Sequence, residues 1–237
     1  MQPTRSSNFF DSLPPTGPVT KWGCIAIIAV SLLGAVTQRR LGFGLNELVF
    51  SAAHVIDLEL WRLFTYPLVH SRPFGLIIGV FIFWLFGKMF ESRWGSENFL
   101  KYIGLSAVGA AILAIPLSYL LNTVMPFRDL GYAEGTGPII DAILVHLAVT
   151  APDSKILFGF VLPMKSRTVI YAILGFELIV GIQTGAAGMS TTMGGIVMGY
   201  LLTTGNWRPD RIWAQWQAKK NPRQGFYVVK PPDDTLH

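Results

Sequence analysis

The chain is poor in charge and in cysteine. Only 14% of its 237 residues are Asp, Glu, Lys or Arg, against roughly a quarter in ordinary soluble domains. That shortfall argues against a water-soluble globule. Cys24 is the sole cysteine, which excludes an intrachain disulfide framework. Lying in an apolar run, it is read as packing against lipid or a neighbouring helix. The first residues do not have the layout of a cleavable signal peptide. They are polar and irregular, with Pro14, Pro15, Gly17 and Pro18. No internal repeat is evident, which disfavours an inverted-repeat transporter. His, Cys, Asp and Glu do not recur at ligand spacing, so neither a metal nor a cofactor is expected.

What is present is apolar: 51% of residues are hydrophobic and mean hydropathy is +0.45. Runs at 21–37, 74–90, 99–121, 136–151, 168–184 and 189–205 approach the roughly 20 residues that a helix needs to cross a bilayer. The expectation is an all-α polytopic membrane protein with six transmembrane helices. Residues 1–20 form a polar N-terminal segment, 21–205 the transmembrane domain and 206–237 a basic, Trp-rich tail. The net charge of +5 then reflects topology rather than nucleic-acid binding. With both termini cytoplasmic, most of the 19 basic residues lie inside, and only Arg39, Arg40, Arg62, Arg72 and Arg128 lie outside. No transit peptide or retention signal is apparent, so a bacterial inner membrane is expected. Trp207, Trp213 and Trp216 among Lys219, Lys220 and Arg223 suit either an anionic inner leaflet or a plain stop-transfer flank. The long loop 38–73 includes the aromatic, partly charged stretch 58–67. That composition suits a segment lying in the headgroup region.

Gly188, Gly194, Gly195 and Gly199 fall within one apolar segment. Small residues at such spacing let two membrane helices bring their backbones close. Gly75 and Gly79 form a similar pair at the start of the second span and predict close helix packing there. Gly135-Thr136-Gly137-Pro138 reads as a loop entering a helix, with Pro138 in its first turn; a hydroxyl at that position could also sit beside free backbone N–H groups. Asp141, His146 and Glu177 lie inside spans, where ionisable groups are expensive and face a partner or water. They suggest a polar cleft, or individually satisfied buried groups. His54 and His70, in the long loop, have no nucleophile motif near them in sequence and are assigned structural roles. Glu91 and Arg93 are expected to tie down the turn after the second span, and Gly95 suits its end.

In order along the chain, Trp61-Arg62, then Glu91-x-x-Trp94-Gly95, then Gly135-Thr136-Gly137, then Thr192-Met-Gly194-Gly195 with Gly199 resemble the motifs of the rhomboid superfamily of intramembrane serine proteases and their inactive relatives. The resemblance covers most of the chain, from Trp61 to Gly199. It implies a six-helix bundle with a long first external loop. It also implies that Thr136, Thr192, Gly75 and Gly79 stand where active members carry the catalytic serine, the catalytic histidine and two oxyanion-stabilising side chains. A hydroxyl is a poor nucleophile unless a neighbour takes its proton. Thr192 is no base, and His146, ten residues from Thr136 on one helix, is about 15 Å away along the axis. No imidazole is therefore expected within reach of Thr136, and the chain is read as a non-enzyme, a pseudoprotease that binds transmembrane segments of other proteins without cutting them. The client groove is placed near Gly75, Gly79, Asp141, His146, Glu177, Gly181 and Gly185. The alternatives are an accessory subunit of a larger membrane complex, docked through the tail, and an atypical peptidase using Thr136. Transport along Asp141, His146 and Glu177 is a further reading. The partners are the lipid bilayer and the transmembrane helices of other proteins, with no nucleic acid.

Overall fold

Proline marks the starts of the two helices that build one side of the bundle. Pro18 opens α1 (Pro18–Leu41) and Pro73 opens α5 (Pro73–Trp94). At a helix start the missing N–H costs nothing and the fixed φ already suits the helix. The structure, a computed structural model, describes residues 14–42, 44–125, 130–153, 155–158 and 162–205. Between α1 and α5 lie three short helices, α2 (Leu45–Leu48), α3 (Ala52–Ile56) and α4 (Arg62–Thr65), and a 3₁₀ turn at Tyr66–Leu68. Then follow α6 (Ser96–Val124), α7 (Gly137–Thr150), a hairpin of β1 (Lys155–Phe158) and β2 (Leu162–Lys165), and α8 (Ser166–Thr204).

Among the described residues, α1 over Pro18–Arg40, α5 and α6 are long and apolar enough to cross a bilayer. At 14 residues, α7 rises about 21 Å, short of the ~30 Å hydrocarbon core. The expected fifth and sixth spans are one helical run, α8, interrupted at Gly185 (φ 79°, ψ −177°). Only glycine takes that backbone cheaply, so the break falls there rather than in a loop at 185–188. The hairpin, paired from Lys155↔Lys165 to Phe158↔Leu162, is a departure from the all-helical expectation. The tail 206–237 lies outside the described residues, as do the Glu177 side chain and the surroundings of Gly181.

Two packing devices hold the bundle. The first joins α1 to α5. Glu91, near the end of α5 and buried, accepts hydrogen bonds from the Val19 and Thr20 N–H groups (2.9 and 2.8 Å) and from the Thr20 and Ser96 hydroxyls (both 2.7 Å). A carboxylate at the first turn of a helix satisfies orphan N–H groups and faces the positive end of the dipole. Glu91 thus does more than the expected turn-tying, and Arg93 is not among its partners. The second device seats the latter half of α8 between α6 and α7. A Cβ on Gly194 would lie 2.5 Å from the Ala110 carbonyl oxygen. On Gly195 it would lie 2.5 Å from that of Pro138, and on Gly199 2.6 Å from the Ala142 Cα. The backbones touch, as the glycine spacing predicts. Ser118 and Ser190 add a buried 2.6 Å hydroxyl pair between α6 and α8.

The first loop is knitted to itself by Arg62. Its guanidinium is 4% exposed and donates to Glu59 (2.5 Å) and to the Asn46 and Val49 carbonyls (2.6 and 2.9 Å). Trp61 is half exposed, and its indole N–H donates to the Glu47 carbonyl (3.0 Å). Ile56, Leu58, Leu60 and Phe64 stand exposed beside it, the apolar surface expected of a segment at the headgroups. The loop is built from short helices rather than one helix lying flat.

Candidate functional site

Thr136 is the residue just before α7. Gly135 ahead of it has φ +94°, a backbone that glycine takes readily. The Gly135 N–H donates to the Tyr66 carbonyl (2.9 Å), which binds this turn to the end of the first loop. Ala133 and Phe50 exchange backbone hydrogen bonds (2.9 and 2.8 Å), and the Ala187 N–H donates to the Leu130 carbonyl (2.8 Å). Segment 130–136 is therefore held by the first loop and by the start of the second half of α8. The Thr136 side chain ends up 2% exposed.

The four degenerate positions meet only in part. A Cβ on Gly79 would stand 3.2 Å from the Thr136 Oγ1, so α5 and the start of α7 converge where the resemblance implies. Gly75 lies one turn away on α5, on the same face. Its expected close packing is not found: a Cβ there would meet only the Arg72 Cβ, at 3.9 Å. The pairs Gly195–Pro138, Gly199–Ala142 and Thr203–His146 are each separated by the same stretch of chain, so α7 and this half of α8 run parallel in constant register. That register sets Thr192, itself buried, level with Gly135.

The main correction concerns His70. The same point above Gly79 lies 2.5 Å from the His70 Nε2, and a Cβ on Gly135 would lie 3.1 Å from it. An imidazole therefore does stand beside Thr136. It comes from the first loop, not from α7 or α8. Chain distance hid it: His70 and Thr136 are far apart in sequence, and the loop folds back through contacts that no local motif encodes. Ser31 of α1 accepts from the His70 N–H (3.0 Å) and donates to the Leu68 carbonyl (3.1 Å). Glu134 accepts from the Ser71 N–H (2.9 Å) and hydroxyl (2.5 Å). Ser31, Ser71 and Glu134 were all missed from the sequence. The one available signal was that His70 precedes α5 by a few residues and Glu134 precedes Thr136 by two.

Among the described residues the His70 Nδ1 is buried without a hydrogen-bond partner. Burial holds this imidazole below the ordinary histidine value, and the nearby Glu134 carboxylate pulls weakly the other way. The neutral ring is thus favoured in the fold. The stability this gives is complete above the ordinary value of about 6.5. It is lost as pH falls from there toward the lower folded-state value, because the unfolded chain protonates first. Thermal unfolding of the protein in detergent is expected to show a falling midpoint from pH 7 to pH 5. His70→Gln should flatten that slope; an unchanged slope would mean the imidazole is not buried as described.

The proposed groove residues do not gather. Asp141, 5% exposed, faces the core and, after burial, adds to the upward push on the Tyr66 phenol. His146 sits at the opposite end of α7 among Phe90, Trp94 and Tyr102, with ring centroids 5.6, 4.8 and 6.0 Å away. It shares a 3.0 Å hydrogen bond with the Thr203 hydroxyl. Asp141 is buried and His146 is part-buried at the end of α7 away from Thr136, so the two do not gather with Gly79. Gly185 instead lies against the Gly131 Cα, 3.7 Å from where its Cβ would be. Among the described residues no three His, Cys, Asp or Glu side chains cluster so as to hold a metal.

A family model described as eukaryotic integral membrane protein (DUF1751) matches residues 21–203. The chain therefore belongs to that family, which is part of the rhomboid-like superfamily. It is an integral membrane protein, and the eukaryotic description of the family weighs against the bacterial inner membrane expected above. No match is found among curated proteins.

Proposed function

We propose that this chain binds transmembrane segments of partner proteins beside the Gly79–Thr136 site and does not cleave them. The observation that supports this most is the buried His70 Nδ1, which has no hydrogen-bond partner among the described residues. Orphaned buried polar atoms are rare in folded proteins, and each calls for an explanation such as a functional role or a further group that completes the bond. One turn along α5, the space around Gly75 is open, flanked by the exposed side chains of Phe74, Ile77 and Ile78. An apolar helix carrying one polar group could lie against that face and offer the group to His70. A polar contact inside the bilayer is worth about 0.6–2 kcal/mol between helices, enough to select among otherwise apolar segments.

Two missing donors weigh against cleavage. No side-chain donor stands at Gly75 or Gly79 to stabilise an oxyanion, and such a donor accounts for about 10²–10³ in rate where it has been removed. Photoreactive residues placed at Gly75 and at Phe74 in native membranes test the binding. They are expected to trap single-span or multi-span membrane proteins, with trapping reduced in His70→Leu. If the same positions trap only lipid, client binding at this face is wrong.

The nearness of His70 to Thr136 favours one second reading, a peptidase with Thr136 as nucleophile and His70 as base. It requires the two groups to form a hydrogen bond when substrate is present. Its signature is cleavage lost equally in Thr136→Ala and His70→Ala.

A further inference from the structure

We propose that a groove beside α1 seats one acyl chain of an anionic membrane lipid, which enters at the bilayer surface near Trp22 and ends against Thr136. The cavity has a volume of about 410 Å³, within the ~300–1,000 Å³ typical of small-molecule sites. Val19, Ala26 and Ile27 of α1 line it, together with Ile103 of α6 and Phe83 of α5. Apart from the Trp22 indole, the Thr136 hydroxyl is the only polar side-chain group in the lining. Such a surface favours a hydrocarbon chain and offers almost nothing to a polar ligand.

Length and volume set the class of occupant. From Pro18 to Ile27 the groove follows roughly 14 Å of helix at 1.5 Å per residue. That is about half of a ~30 Å hydrocarbon core, the depth of one leaflet. A transmembrane helix, ~10–12 Å across, would need roughly twice this volume or more over the same length. Both sites border Thr136, but the groove is lined from α1 whereas the client face is that of Phe74, Gly75 and Ile78 on α5, so crosslinks at Gly75 and lipid adducts at Ile103 can fail independently.

A cation stands beside the mouth, outside the lining itself. Trp22 is 64% exposed and Leu100 56% exposed, and the Lys21 ammonium lies 6.0 Å from the Trp22 ring centroid. A cation next to an interfacial tryptophan suits an anionic headgroup. The deep end matters for the rest of the molecule. Leu68 lines the groove, and Ser31 ties its carbonyl to the His70 backbone N–H. A chain filling the groove braces the loop that sets His70 beside Thr136.

The test uses the full chain in phosphatidylcholine nanodiscs doped with phosphatidylserine carrying a diazirine at the acyl terminus. After irradiation, adducts should concentrate on Phe83, Ile103 and Ile139. Ala26→Phe and, separately, Leu100→Trp should lower labelling there about tenfold, as when roughly two methylenes of burial are lost. Lys21→Glu should shift labelling toward a diazirine phosphatidylcholine, and Leu33→Phe, on the exposed face of α1, should change nothing. Adducts spread evenly over Leu32, Leu33 and Val36 and unaffected by both groove variants would overturn the proposal. So would a groove found occupied by protein.

Discussion

Gly195→Ala will lower the thermal unfolding midpoint of the detergent-solubilised protein by roughly 6–12 °C, taking ~3 kcal/mol for overpacking and ~2–4 °C per kcal/mol for a domain of this size. The reason is geometric. The new methyl would sit 2.5 Å from the Pro138 carbonyl oxygen and 2.6 Å from its Cα. Those are backbone atoms at the first turn of α7, so no side chain can swing aside. Valine at the same place should prevent accumulation of folded protein. Gly104→Ala is the control, because nothing lies within 4 Å of a Cβ there; alanine in a helix is worth about 0.5–1 kcal/mol over glycine. Equal behaviour of the two variants would mean that α8 does not pack against α7 as described.

Glu91→Ala is the second large effect, with an expected loss on the order of 3 kcal/mol. The carboxylate is 4% exposed and takes four hydrogen bonds, two of them from N–H groups in the first turn of α1. Truncation leaves those donors without their partner and opens a void between the ends of α1 and α5. Glu91→Gln should cost less, since one oxygen still accepts while the amide nitrogen faces donors it cannot satisfy. Glu97→Gln, a few residues on, removes the exposed pairing with Lys101 and should leave the midpoint unchanged, as surface ion pairs contribute little. Melting curves of the three variants in one detergent decide the matter. A Glu91→Ala midpoint equal to that of Glu97→Gln would contradict the capping role.

Three of the six expected spans were legible because hydropathy and helix length are local properties. The runs at 21–37, 74–90 and 99–121 fall inside α1, α5 and α6, which extend one to four residues further at each end. Gly194, Gly195 and Gly199 were legible for a similar reason: Gly195 and Gly199, four apart, mark the face toward α7, and Gly194 the face toward α6. The site was only half legible. The convergence of Gly79 and Thr136 follows from motif order, but the placement of His70 depends on Ser31 through its own N–H and on Glu134 through the neighbouring Ser71, both far away in sequence. Asp141 and His146 misled because an ionisable residue in a span signals a partner without saying which one. Here one partner set is the core around Tyr66 and the other an aromatic cluster at the far end of α7. Gly75 misled because a glycine permits close approach without requiring it.

The most direct test of a binding protein without peptidase activity is a cleavage assay in proteoliposomes. The purified chain is reconstituted with a single-span model substrate, alongside an active rhomboid protease as control, and fragments are sought by mass spectrometry. Intact substrate is expected from the wild-type chain and from Thr136→Ala and His70→Ala alike. A fragment produced by the wild type and absent from both variants would contradict the account and make Thr136 and His70 a working pair.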